Sequence, residues 1–319
     1  MTVAERSIYL SGYLSLLTPF LSREDVSDIY INRPGELWLE VNGGAPERHE
    51  VPELSSETLL RLARQIAAWS SQAISREHPL LAASLPTGER IQIAVPPATR
   101  RDIAISIRRQ IVRSIKLEDL KPREMEGSPI SLENSNGIEV SGTEDIAELL
   151  RQAVKARKTI LISGGTSSGK TTLLNTLIGE IPRNERLIFI EDAPELHIRH
   201  PNAVGLVAPR SELRESDIDA DDLLIASLRM RPDRIILGEI RGREAITFLR
   251  AVNTGHPGSI STIHANSCEA ALDQLAFLAI QGGLKFGWDD LRNYIASTVD
   301  LSINITMDNG HINYSITKY

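Results

Sequence analysis

Nine consecutive residues hold the densest chemistry in the chain: Gly164, Gly165, Thr166, Ser167, Ser168, Gly169, Lys170, Thr171 and Thr172. Gly164, Gly169, Lys170 and Thr171 satisfy G-x-x-x-x-G-K-[ST], a phosphate-binding pattern. Small residues let successive backbone N–H groups converge on phosphate oxygens. A helix starting at the lysine would aim its positive end at the same point. Lys170 can then reach the β- and γ-phosphates, and the Thr171 hydroxyl can bind Mg²⁺. Carboxylates and imidazoles follow. Glu239, after Ile235-Ile236-Leu237-Gly238, can bind Mg²⁺ through water or take a proton from an attacking water. Glu191 and Asp192 offer a second acidic corner, and Glu191 is the alternative to Glu239 as a water-mediated metal contact. His264 can sense a γ-phosphate, and His256 in Thr254-Gly255-His256-Pro257-Gly258 could do the same. His197 and His200 lack metal-ligand spacing and read as surface residues.

These groups need a scaffold that brings them to one edge. Ile160-Leu161-Ile162-Ser163 reads as a buried strand before the glycine-rich turn, and Leu173, Leu174, Leu177 and Ile178 follow at helical spacing. Residues 186–190 form a strand ending in Glu191-Asp192, 221–229 a helix, 234–239 a strand ending in Glu239, 246–252 a helix, and 259–263 a strand ending in His264. Alternating strands and helices predict an α/β fold. In an open α/β sheet, ligands bind at the carboxyl ends of the strands, where these polar residues fall. A hairpin at 301–306 and 311–316, turning at Asp308-Asn309-Gly310, closes the chain.

The earlier residues have another rhythm. Residues 1–21 read as an amphipathic helical stretch (Ile8, Leu10, Leu14, Leu16, Leu17, Phe20, Leu21), packing on its own domain or meeting a partner or membrane. Its polar face lacks the Lys/Arg density of a strong interfacial helix. Val26 to Asn32 and Leu37 to Val41 read as a hairpin around Arg33-Pro34-Gly35-Glu36, with a further turn at Asn42-Gly43-Gly44. A helix is predicted over 55–70, capped by Ser55 or Ser56, with Leu59, Leu60, Leu62, Ala63, Ile66 and Ala67 on its face. Strands at 90–95 and 103–108 flank a Pro96-Pro97 turn. This is a small α+β domain, a sheet with helices to one side. Arg90, Arg100, Arg101, Arg108, Arg109 and Arg113 crowd its later part, as solvated charge or as guanidiniums facing a phosphate. Residues 118–142 collect turn formers and read as a linker. A helix over 143–156 follows, with Thr143 as N-cap and Glu144, Asp145 and Glu148 toward its start. The expected division is therefore 1–117, linker 118–142, and 143–319.

Bulk properties narrow the setting. The 319 residues are 41% hydrophobic, enough for a full core in each of two domains. The single cysteine, Cys268, excludes an intramolecular disulfide and any multi-cysteine zinc cluster, so a reducing compartment is the simple reading. No apolar run is long enough for a transmembrane helix, and no signal peptide is recognisable, because Ser11, Gly12, Ser15, Thr18 and Pro19 interrupt the leading apolar stretch. A cytoplasmic protein is expected. A formal charge of −7 argues against a free-standing nucleic-acid binder, and no stable sequence-specific nucleic-acid binding is expected.

Four stretches in order carry a family resemblance: 164–172 (GGTSSGKTT), 190–196 (IEDAPEL), 231–241 (RPDRIILGEIR) and 254–267 (TGHPGSISTIHANS). They resemble the Walker A, Asp box, atypical Walker B and His box of the type II/IV secretion (traffic) ATPase superfamily. Asn32 to Glu36 and Pro86 to Ile93 make the chain most similar to the ATPases at the cytoplasmic base of bacterial type IV secretion systems. The resemblance implies a RecA-like P-loop C-terminal domain, a smaller PAS-like α+β N-terminal domain, and a homohexamer. It further implies ATP and Mg²⁺ as cofactors, hydrolysis of ATP to ADP and phosphate, and N-terminal arginines, here Arg90 and Arg108, on the γ-phosphate. Implied too are a peripheral place at the inner face of the bacterial inner membrane, other secretion components as partners, and protein or DNA as substrates. Ser167 stands where glycine is common, and Arg109 where lysine usually follows Arg108. A pilus assembly or retraction ATPase, or a type II secretion ATPase, is the alternative within the superfamily, although the single cysteine removes the four-cysteine zinc module frequent in type II members. A nucleotide-dependent switch or scaffold with little turnover is the alternative of another class.

Overall fold

The computed structural model describes residues 10–41, 44–70, 72–109, 117–119, 146–166, 168–208, 218–308 and 311–319. Outside them lie residues 1–9, Asn42-Gly43, Arg113, most of the expected linker, Thr143 with Glu144 and Asp145, Ser167, and Asn309-Gly310. The chain divides into two compact units, with described residues 10–109 in the first and the others in the second.

In the first unit, helical residues 10–14 and α1 (Thr18–Leu21) precede β1 (Val26–Ile31), β2 (Glu36–Val41) and β3 (Glu47–Glu50). Then come α2 (Ser56–Trp69), β4 (Leu80–Ser84), β5 (Arg90–Ala94) and β6 (Ala104–Arg108). The six strands form an antiparallel sheet in the order β3-β2-β1-β6-β5-β4. Alternation decides its faces. Ile29, Ile31, Leu37, Leu39, Ile91, Ile93, Ile105 and Ile107 are buried on one side. Helix α2 starts where the Thr58 N–H donates to Ser55 Oγ at 3.2 Å, a cap contributing about 1 kcal/mol. Its Leu59, Leu62, Ala63, Ile66 and Ala67 share one stripe and enter the same core. Leu10 and Leu17 are buried there too, with Leu14, Leu16, Phe20 and Leu21 against them, so the amphipathic N-terminal stretch covers its own unit. Strand β3, Glu47-Arg48-His49-Glu50, is the charged kind of edge that resists pairing with another chain.

The second unit runs α3 (Ile146–Lys155), β7 (Ile160–Gly164), α4 (Lys170–Gly179), β8 (Leu187–Glu191), β9 (Ala203–Val207), α5 (Ala220–Leu228) and β10 (Arg234–Ile240). It continues through α6 (Glu244–Asn253), β11 (Ile260–Ile263), α7 (Cys268–Gln281), α8 (Trp288–Thr298), β12 (Leu301–Asp308) and β13 (His311–Lys318). Residues 268–298, to which no element is assigned from sequence, thus form two helices. The sheet order is β13-β12-β7-β11-β10-β8-β9. All neighbours are parallel except the final hairpin. Its central strands are apolar on both faces because helices cover both. Ile160, Ile162, Leu187, Phe189 and Ile236 join α3 and α4 on one side. Leu161, Ile188, Ile190, Ile235 and Leu237 join α5, α6, α7 and α8 on the other. Each fully buried Ile or Phe contributes roughly 1.5–3 kcal/mol, so a charge at Ile162 or Phe189 would break the layer.

One buried ion pair anchors this unit away from the polar strand ends. Arg234, 0% exposed, opens β10 and grips Glu185 through Nε (2.6 Å to Oε2) and Nη2 (2.8 Å to Oε1). Its Nη1 donates to the Val154 carbonyl at 2.7 Å, tying the end of α3 to the start of two strands. The Arg234 hydrogen bonds hold the Glu185 carboxyl below the ordinary range against its burial. The first arginines of the 231–241 stretch therefore stand at the amino end of β10, and only its last residues reach the carboxyl edge.

Candidate functional site

Strand β7 ends at Gly164, and the turn that follows is shaped by glycine. A Cβ on Gly164 would collide with Ser168 Oγ and with the Ile305 carbonyl at 2.5 Å. Gly169 adopts φ +100°, a left-handed conformation that favours glycine, and starts α4 with no side-chain cap among the described residues. The start of α4 is a helix N-terminus of the kind that binds anions. A Cβ on Gly165 or Gly169 would meet nothing within 4 Å, so open space lies over both. Ser168 Oγ is buried and finds no hydrogen-bond partner among the described residues. This concave, donor-rich cradle fits a polyphosphate.

Lys170 closes the cradle from inside. It is 8% exposed, and its Nζ donates to the carbonyls of Gly164 (2.9 Å) and Gly165 (2.7 Å) and stands 3.4 Å from His264 Nδ1. A lysine ammonium only donates, so Nδ1 accepts and Nε2 carries the proton. That Nε2 faces Glu239 Oε1 at 2.8 Å. Burial draws the His264 imidazole below its ordinary value; Glu239 opposes this, and Lys170 and Arg241 add to it. The ring therefore lies between Lys170 Nζ and Glu239 Oε1, and that oxygen makes no hydrogen bond among the described residues.

Glu239 is aimed by a break in the ladder. Leu237 pairs with Ser261 and Ile240 with Ile263, leaving Gly238 and Glu239 opposite Thr262 alone. Such a bulge bends a strand and redirects a side chain. Ser261 Oγ donates to the Leu237 carbonyl (2.9 Å) and Thr262 Oγ1 to the Gly238 carbonyl (2.7 Å), which fixes it. On its other side the Glu239 carboxylate meets Arg241, whose Nε donates to Oε2 at 2.6 Å. Arg241 Nη1 also reaches Asp192 Oδ2 at 3.1 Å.

The acidic corner after β8 separates into two tasks. Glu191 is buried, and its Oε2 accepts from the N–H groups of Glu195 and Leu196, both at 2.7 Å. Burial pushes its carboxyl up to about 7, against those two donors and with help from the charges of Glu195 and Asp192. Glu191 thereby shapes the turn, and the turn presents Glu195, whose Oε2 is 3.4 Å from Thr171 Oγ1. Oxygen donors of this kind suit Mg²⁺, which binds through one or two protein oxygens plus phosphates and water. No cluster of three or more His, Cys, Asp or Glu among the described residues could hold a metal unaided. Glu195 and Arg241 are absent from the sequence-derived set. Both lie within the quoted stretches, but only the bulge and the 195–196 turn reveal them.

Of the other expected residues, Thr166 is exposed beside the cradle and Thr172 lies in the first turn of α4. Arg90 and Arg108 belong to the first unit, where they are direct cross-strand partners in the β5–β6 register and so share one face of the sheet. Arg109 instead donates through Nη1 to the carbonyls of Arg23 and Val26, a structural tie. His256 hydrogen-bonds the Ala251 carbonyl at 3.1 Å before β11 begins, at the end opposite His264. His200 lies 2.9 Å from the Pro182 carbonyl. Cys268 is buried at the start of α7, its thiol 3.3 Å from the Ser302 carbonyl.

A family model described as "Type II/IV secretion system protein" matches residues 14–306. The chain is 38% identical over 310 residues to the type IV secretion system protein VirB11 of Bartonella quintana, covering 91% of this chain and 87% of that one. It is 39% identical over 313 residues to the type IV secretion system protein PtlH of Bordetella pertussis, covering 94% and 91%. Among solved structures, the pilus retraction motor PilT with bound ADP superposes with a TM-score of 0.63 at 19% identity, over 95% of this chain and 81% of that one. That likeness shows a shared fold, a RecA-like unit with a smaller N-terminal unit.

Proposed function

Because the chain belongs to the type II/IV secretion system protein family, we propose that it is an ATP-hydrolysing motor of a type IV secretion system, powering pilus biogenesis or transfer of protein or DNA across the cell envelope. The observation that carries this reading is the run Lys170–His264–Glu239 laid across the mouth of the phosphate cradle. A binding protein needs the cradle; a hydrolase also needs a carboxylate aimed at water and a group that reports the γ-phosphate.

In this reading the amides of 164–169 and the start of α4 bind the phosphates, and Lys170 leaves its two carbonyls for the β- and γ-phosphates. Thr171, with Glu195 close by, would hold Mg²⁺, which when bound neutralises charge developing on the transferred phosphoryl group. Glu239 orients the attacking water or takes its proton. His264, displaced from Lys170 when the lysine turns to phosphate, registers whether a γ-phosphate is present. Glu191 acts by holding the turn that carries Glu195. Arg90 and Arg108 are assigned to the γ-phosphate charge, an effect worth ~10³–10⁵ in rate for arginines so placed. The protein works as a homohexamer, peripheral at the inner face of the inner membrane, with other secretion components. No helix among the described residues is long and apolar enough to cross a membrane, which fits peripheral attachment.

The test is steady-state ATPase activity against protein concentration for wild type, Lys170→Ala and Glu239→Gln, with light scattering on the same samples. Turnover by a ring of about six, with Glu239→Gln binding ATP but losing hydrolysis by ~10²-fold or more, is the expected result. Tight binding without turnover above Lys170→Ala would replace the motor with a nucleotide-dependent switch.

A further inference from the structure

The polar edge of the second unit contains a cation that the sequence pattern leaves without a task. Arg241 follows β10 directly. Its backbone is fixed by Glu244, a buried carboxylate at the start of α6 whose Oε1 accepts from the N–H groups of Arg241 (2.6 Å) and Gly242 (2.8 Å). From that support the guanidinium reaches two carboxylates on different strands. Nε and Nη2 take Glu239 Oε2, and Nη1 takes Asp192 Oδ2 at 3.1 Å. The Glu239 side chain is 14% exposed, so its orientation is decided by protein groups more than by water.

We propose that Arg241 is a positioning residue for the Glu239 carboxylate, holding one oxygen and braced against Asp192 so that the other oxygen stays turned toward His264. The catalytic consequence rests on the ATPase reading; the positioning itself does not. A guanidinium suits this place because its planar fork serves two acceptors at once. A lysine ammonium supplies the charge as a single point and cannot brace one carboxylate against the other. Without the fork, Glu239 keeps its charge but loses its direction. Misplacement by about 1 Å at a reacting group costs on the order of 10²-fold in rate.

The experiment compares wild type, Arg241→Ala and Arg241→Lys as full chains, all checked for an unchanged thermal midpoint. The first readout needs no turnover: the pH titration of the His264 ring, followed by NMR on histidine-labelled protein without nucleotide. The charged groups facing this ring are Glu239 on β10, Lys170 on α4, and Arg241 itself. Arg241→Lys keeps the cation but frees Glu239 from the orientation that faces His264, so the titration moves downward; Arg241→Ala adds the loss of the cation, which acts in the opposite direction and places its titration above that of Arg241→Lys. The second readout is kinetic. Arg241→Ala lowers kcat by ~10²-fold with KM for ATP and affinity for a fluorescent ATP analogue little changed. Free guanidinium restores part of that loss, and Arg241→Lys restores less than the native side chain. An unmoved His264 titration in Arg241→Lys overturns the proposal whatever the kinetics. A raised KM at constant kcat also overturns it, because Arg241 would then bind nucleotide directly. If wild type itself shows no turnover, the motor reading falls and the His264 titration still decides the role of Arg241.

Discussion

Replacing Glu191 by glutamine should change how stability depends on pH more than it changes stability at any one pH. The carboxyl is 5% exposed and shifted by burial from the ordinary 4.5 to about 7. Below 4.5 folded and unfolded chains both hold its proton. Between 4.5 and about 7 the folded chain keeps a proton that the unfolded chain has released, so stability falls as pH rises through that window. Above about 7 both are ionised and the decline ends. At about 1.4 kcal/mol per pH unit, the interval sets a ceiling of roughly 3 kcal/mol. The glutamine amide keeps an oxygen for the N–H groups of Glu195 and Leu196 and cannot ionise. The thermal midpoints of wild type and Glu191→Gln, measured from pH 5 to 8.5 without nucleotide, should therefore converge on one side and part on the other. The variant gains on wild type as pH rises, by up to ~6–12 °C for a unit of this size. Parallel curves would refute the reasoning, because they would mean that Glu191 enters the folded state already ionised.

Two further outcomes follow from packing. Arg234→Met leaves Glu185 without its bidentate partner, and removal of one member of a buried pair costs about 3–5 kcal/mol, read as a lower denaturant midpoint; Arg234→Met with Glu185→Leu should recover a large part of the loss. Gly164→Ala places a methyl against Ser168 Oγ and the Ile305 carbonyl, so nucleotide binding should fall steeply, measured by titration of a fluorescent analogue, while the first unit's proteolytic resistance is unchanged.

The strands around the site were legible because a fully covered parallel sheet writes itself as apolar runs, and the carboxylate or imidazole ending each run marks the ligand edge. Ser55 announced α2 by its cap. The division of labour between Glu191 and Glu195 was not legible, since it depends on where two backbone N–H groups come to rest. Nor was the aim of Glu239, set by a bulge that pairs two residues with one. Helix α7 hides because Cys268, Ala271, Leu272, Leu275, Ala276, Leu278 and Ala279 bury much of its circumference, blurring the helical period. Arg234 and Arg241 share one short stretch, yet one pins the amino end of β10 and the other serves the carboxyl end. A strand's two ends are a matter of direction that composition does not record.

The place of β7 in the sheet also bears on how the protein is made. This strand carries the phosphate loop, yet its two partners, β11 and β12, come much later in the chain. Ser163 is held by Asn304, 141 positions downstream. At about 5–20 residues per second, a ribosome needs roughly 7–30 s to cross that interval. Until β11 is made this buried strand has no neighbour, until β12 follows it has only one, and nucleotide in the surrounding solution has no finished cradle to bind. Nucleotide can reward this chain for folding only after nearly all of the second unit has been synthesised, so the nascent stage depends on whatever shields Ile160, Leu161 and Ile162 in the meantime.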